Sequence, residues 1–226
     1  MTRHALFSAR TPGSRASAAL VVLGAVALGG CTTGEGSGDV KSDRLFIQNC
    51  ANGPFDLQPD FFASDPFDDT QTIRIQRGDR YAEVSDGVSI LVNGVEAIRG
   101  DDGGEGMLGQ DIAVGLPRGV SPPGVPVVFN PNPPPVSIAL YLNDSCHAQN
   151  VTIYAIDGTI RFTSLFSGDV NEKDADARLT EGEFEATFAD PRDLVPDDPP
   201  DPDLVSLVTG SFRFFFQRGQ PAQPFP

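Results

Sequence analysis

The oxygen-rich stretch Gly168-Asp169-Val170-Asn171-Glu172-Lys173-Asp174-Ala175-Asp176 is the part of this chain that most invites chemistry. Calcium is a hard cation that wants clustered oxygen ligands, and Asp169, Asn171, Asp174 and Asp176 would supply four of them. Asp169 and Asn171 match positions 1 and 3 of an EF-hand loop. Position 5 is Lys173, position 6 is Asp174 where the turn needs Gly, and position 12 is Thr180 where Glu should close the site. The stretch is therefore not an EF-hand. A looser calcium site on a β-sandwich loop competes with a solvated hairpin loop.

Other residues with chemical potential are sparse. There are 2 histidines, His4 and His147, and His147 adjoins Cys146. The chain has no G-x-S-x-G, H-E-x-x-H, C-x-x-C or P-loop pattern. With 31 acidic residues, a two-carboxylate hydrolase stands as an alternative, because the fold alone sets carboxylate spacing. Arg77-Gly78-Asp79 and Arg99-Gly100-Asp101 are adhesion-type tripeptides. Both follow an expected strand, where Gly-Asp turns belong, so turn chemistry is the preferred reading. Asn143-Asp144-Ser145 and Asn150-Val151-Thr152 match glycosylation sequons. A formal charge of −15 argues against nucleic acid, whose phosphates need a basic face. The expected role is binding or structural, without catalysis, with its protein or glycan partner left open; a calcium- or glycan-binding adhesion module is the first alternative and the two-carboxylate hydrolase the second.

The first 17 residues carry Arg3, Arg10 and Arg15 and no acid. Ala18 to Gly30 is uncharged and apolar. It is too short for a span, which needs about 20 residues, and right for a signal-peptide core. It ends in Leu28-Gly29-Gly30-Cys31. Over residues 1–31 the chain resembles bacterial lipoproteins, whose signals end in an aliphatic residue, two small residues and Cys. The resemblance implies that residues 1–30 are removed and that Cys31 carries the lipid. Residues 31–43 would then be a flexible tether with a reach of about 20 Å. The membrane is thus an expected partner through Cys31. Thr32, not Asp, follows that Cys, which in the lipoprotein family leans to the outer membrane of the cell envelope. The competing reading is an ordinary secretory signal cut after Ala25-Val26-Ala27.

If lipid consumes Cys31, Cys50 and Cys146 remain, and an even pair in an oxidising compartment reads as one disulfide. Such a bridge closes a loop of about 100 residues and is worth up to ~4–5 kcal/mol in the chain-entropy model.

These residues need a scaffold, and the mature chain reads as strands and turns. Gly 24 and Pro 20 supply many breaks. Leu45–Ile47, Thr72–Arg77, Val88–Val92, Val125–Phe129, Val136–Leu142, Val151–Ile156 and Thr159–Phe166 read as strands. Asn93-Gly94 predicts a hairpin turn into a return strand over Val95–Ile98, and Asp157-Gly158 a second two-residue turn. Leu179–Phe188 echoes Leu207–Phe216 at an offset of 28, with Leu, Gly and both Phe matching. Period 2 points Phe184, Ala186, Phe188, Phe212, Phe214 and Phe216 inward and Glu183, Glu185 and Arg213 outward. Phe215 breaks the outer pattern and is expected to pack under a loop. Strands at this spacing predict an all-β, antiparallel β-sandwich, immunoglobulin-like or jelly-roll-like, with Pro/Gly-rich loops, as one domain over 44–226. No cofactor other than calcium is expected.

Overall fold

The computed structural model describes residues 36–78, 85–120, 133–146, 151–195 and 198–217. They form β1 (Gly36–Ile47), β2 (Ala51–Leu57), β3 (Phe61–Phe67), β4 (Thr70–Arg77), β5 (Asp86–Asn93), α1 (Val95–Arg99), β6 (Ile112–Ala113), β7 (Val136–Leu142), β8 (Thr152–Ser164), β9 (Leu179–Ala189) and β10 (Val205–Phe215). The strands pair antiparallel in the order β2-β1-β10-β9-β8-β7-β5-β4-β3, with β6 alongside β8. The fold is all-β and antiparallel, as the sequence predicts. Its described strands join one sheet curled into a half-barrel, in place of the two packed sheets of a sandwich. The strand expected at Val125–Phe129 and the leader, with Cys31, lie outside the described residues.

Glycine accounts for much of the curl. β9 and β10 are the two echoing segments, and their pairing is reciprocal: Gly182 faces Phe212 and Gly210 faces Phe184. A Cβ on Gly210 would stand 2.4 Å from the Phe184 ring, and one on Gly182 3.0 Å from that of Phe212. Each aromatic ring thus covers its neighbour's glycine, and the missing side chains let the sheet bend. Phe62 of β3, at one end of the sheet, stacks on Phe214 of β10 with centroids 5.9 Å apart. The same ring abuts Gly36 and Gly38 of β1, so the two ends of the sheet approach each other. Inside lie Ile73, Ile75, Val88, Ile90, Ile138, Leu140 and Ile153, all buried.

Several local expectations change. Residues 36–43, read as tether, belong to β1, and Gly36–Lys41 pairs with Phe214–Thr209 of β10. Gly36 and Gly38, which composition alone reads as flexibility, leave the space that the Phe62 ring fills. Val95–Arg99 is a helix, not a return strand. Gly94 takes φ 76, but Asn93 stays extended at the end of β5, and a type I′ turn needs positive φ at both central residues. The Asp69 carbonyl accepts the N–H of Gly94 and Val95 at 2.9 and 3.1 Å, and Asp69 Oδ1 accepts Glu96 N at 2.8 Å. A distant turn therefore starts this helix. Asp157-Gly158 is not a turn but lies inside continuous β8, paired with Thr187 and Ala186 just after a bulge that shifts the register between Ala155 and Asp157. β2 and β3 were not expected as strands. They are the two edges, where Pro54 and Pro66 are tolerated because no ladder donor is needed on the outer side.

Candidate functional site

The outer face of β8, β9, β10 and β1 gathers the polar residues that period 2 turns away from the core. Register sets them in rows across the sheet: Arg161, Glu183, Ser211 and Asp39 form one, and Thr159, Glu185, Thr209 and Lys41 the next. Glu183, Glu185 and Arg213 are exposed, while Phe184, Ala186, Phe188, Phe212, Phe214 and Phe216 are buried. The predicted faces of both echoing strands are correct. Phe215 is half-buried, and the Arg213 guanidinium lies 5.3 Å from its ring centroid.

Two shallow concavities, of 390 and 630 Å³, share Asp39, Glu183 and Ser211. Arg161 bridges Asp111 at 2.7 Å and Glu183 at 3.6 Å, and Arg213 reaches Glu181 at 3.5 Å. Lys41 Nζ lies 3.0 Å from Asp39, and Ser211 Oγ donates to Asp39 Oδ1 at 2.6 Å. The Ser211 hydroxyl, and then Lys41, hold the Asp39 carboxyl below the usual carboxylate range against partial burial. Asp39 in turn raises the Lys41 ammonium. A carboxylate held down in this way stays ionised and is poorly matched to carrying a proton near neutral pH. Each cation of the face, Lys41, Arg161 and Arg213, is thus paired with a neighbouring carboxylate.

The other candidate residues are dispersed or spent locally. Asp169 Oδ1 accepts Asn171 N at 2.9 Å, and Asp174 Oδ1 accepts Asp176 N at 3.0 Å. These are turn bonds. Among the described residues no three His, Cys, Asp or Glu converge as a metal site, so Asp169, Asp174 and Asp176 do not combine into the calcium cluster envisaged with Asn171. Arg99 pairs with Asp101 of its own tripeptide, where Gly100 has φ 81 at the end of α1, so this RGD is a turn. Asp79 of the other RGD, His147 and Asn150 lie outside the described residues. Asn143 of the first sequon is buried.

The cysteines do meet: the Cα atoms of Cys50 and Cys146 are 5.8 Å apart, the spacing of a disulfide. A residue that sequence reasoning missed organises the second of them. Asp86, buried at the start of β5, accepts Asp144 N and Ser145 N through Oδ1, both at 3.0 Å. Its Oδ2 accepts Arg77 Nη2 at 3.1 Å and the Ser145 hydroxyl. The Ser85-Asp86-Gly87 composition reads only as a turn, and nothing local signals bonds to residues 58 and 59 positions away. Among the described residues Asp190, just after β9, is the other buried acid. Burial pushes its carboxyl up, but the hydrogen bonds and charge of Arg192 outweigh that and hold it down. Tyr154, half-buried on neighbouring β8, is raised by burial and by the Asp190 charge.

Comparison of the chain with protein-family models, with curated proteins and with solved structures returns no match.

Proposed function

We propose that this chain is a lipid-anchored lipoprotein of the bacterial cell envelope, carrying its β domain on the outer membrane as a binding or structural module without catalytic activity. The observation that carries the reading is the order of signals at the N-terminus: basic region, apolar run, then Leu28-Gly29-Gly30-Cys31. Two acyl chains on Cys31 hold a protein stably at a bilayer where one chain is marginal. Loss of the leader removes Arg3, Arg10 and Arg15 and takes the charge from −15 to −18. A domain that acidic is repelled by anionic lipid headgroups, leaving its faces available to other macromolecules. The salt-bridged outer face of β8, β9, β10 and β1 supports contact with a polar protein or glycan surface.

The test is detergent phase partition of the full chain expressed in a bacterium, with intact mass. Wild type should enter the detergent phase with the mass of two or more acyl chains. Cys31→Ala should keep its leader and lack that mass. Wild-type protein in the aqueous phase, cut after Ala27, would establish the secretory alternative instead.

A further inference from the structure

We infer that Asp86 is a positioning residue for the Cys50–Cys146 bridge, holding the turn Asn143–Cys146 in bonding geometry whether or not the sulfurs are joined. This rests on reading the two cysteines as a disulfide. The turn hangs on β5, not on the cysteines. Ser85 O accepts Asn143 N at 3.1 Å, and Asp86 Oδ1 takes the next two amides at 3.0 Å each. Cys146 N closes the turn on Leu142 O at 2.9 Å. Asp86 is only 1% exposed, so its charge is compensated by donors and not by water. Arg77 Nη2 serves both Asp86 at 3.1 Å and Asp144 at 3.4 Å, fixing the turn from a second strand. Charge-assisted bonds of this kind are about twice as strong as neutral ones. They are made by residues that are present before oxidation. The Cys146 thiol of the reduced, folded chain is therefore held near Cys50, and its effective concentration toward Cys50 is high.

The experiment measures the thiol–disulfide equilibrium of the full chain carrying Cys31→Ala in glutathione buffers, with Cys50 and Cys146 read by alkylation mass. Asp86→Asn leaves one acceptor oxygen for four donors and should lower the equilibrium constant by about tenfold or more, the scale of one lost charge-assisted bond. Phe212→Ala, in the core under β10, destabilises the fold without touching the turn and should leave the constant within about twofold, as distant sites are close to additive. Should Asp86→Asn fail to fold, Ser145→Ala removes only the hydroxyl donor and should still lower the constant by about threefold, within the range of a single lost hydrogen bond. An unchanged constant in Asp86→Asn, or in Ser145→Ala where that variant has to serve, overturns the positioning role. Two free thiols in the oxidised wild type would instead overturn the bridge itself, and this role with it.

Discussion

Phe212 and Glu185 lie on the neighbouring strands β10 and β9 and face opposite ways, one 2% exposed in the core and the other on the open face. Truncating Phe212 to Ala deletes a ring from a packed interior and should cost about 3–5 kcal/mol. Glu185→Ala should stay within about 0.5 kcal/mol, as surface changes do. Urea midpoints of the two variants check the pair, and equal midpoints would mean that the faces are reversed. Asp39 adds a pH dependence. Its folded carboxyl lies below the ordinary value, chiefly through Ser211, so the stabilisation it brings is complete above the ordinary carboxylate pKa. It is lost as pH falls through that value toward the depressed one. Ser211→Ala returns Asp39 toward its ordinary value, so the acid limb of stability, followed by denaturant midpoints below about pH 5, should flatten. The side chain is partly open to solvent, which keeps the effect small.

At the scale of the element, β8 shows how a turn signal is absorbed into a strand. Gly158 has φ 126, and a Cβ there would stand 2.4 Å from the backbone oxygen of Glu185 and 2.5 Å from Ala186 Cα. Both obstacles are backbone of β9, which cannot swing away. Gly158→Ala should therefore cost about 1–3 kcal/mol, from crowding and a disfavoured φ together. Gly53 of edge strand β2 has nothing within 4 Å of its would-be Cβ. Gly53→Ala should be neutral or stabilising by a few tenths to about 1 kcal/mol, because it narrows the unfolded ensemble. Thermal midpoints of the two variants make the comparison. A similar logic explains the N-terminal half of β1, where Gly36 and Gly38 accept the Phe62 ring and so belong to the sheet and not to a tether.

Across the whole molecule, the Cys50–Cys146 pair ties the β1–β2 turn near one edge of the sheet to the end of β7 in its middle. Its residues are 96 positions apart, so reduction should cost up to about 4–5 kcal/mol in the chain-entropy model. The native protein with Cys31 replaced should show no titratable thiol before reduction, and its denaturant midpoint should fall after it. Two titratable thiols in the native state would remove the bridge.

The strand faces, the all-β class and the Cys50–Cys146 pairing were legible in the residues themselves. Period-2 alternation in Phe184–Phe188 and Phe212–Phe216 is a local consequence of the pleat, and two cysteines left after one is set aside have a single way to pair. The lipoprotein signal is likewise a local pattern, and it alone carries the proposed anchoring. What the sequence could not decide depends on partners far along the chain. Whether Asn93-Gly94 opens a hairpin or a helix turned on Asp69, which caps α1 from another turn. Whether Asp157-Gly158 reverses the chain was decided by the close approach of β9. Among the described residues one curled sheet forms in place of two because glycines lie under phenylalanine rings of neighbouring strands and let the sheet bend back on itself. Asp86 found its donors on β4 and in the β7 turn. Turn chemistry and alternation are written locally, whereas caps, bulges and curvature are settled by which backbone comes to lie beside which.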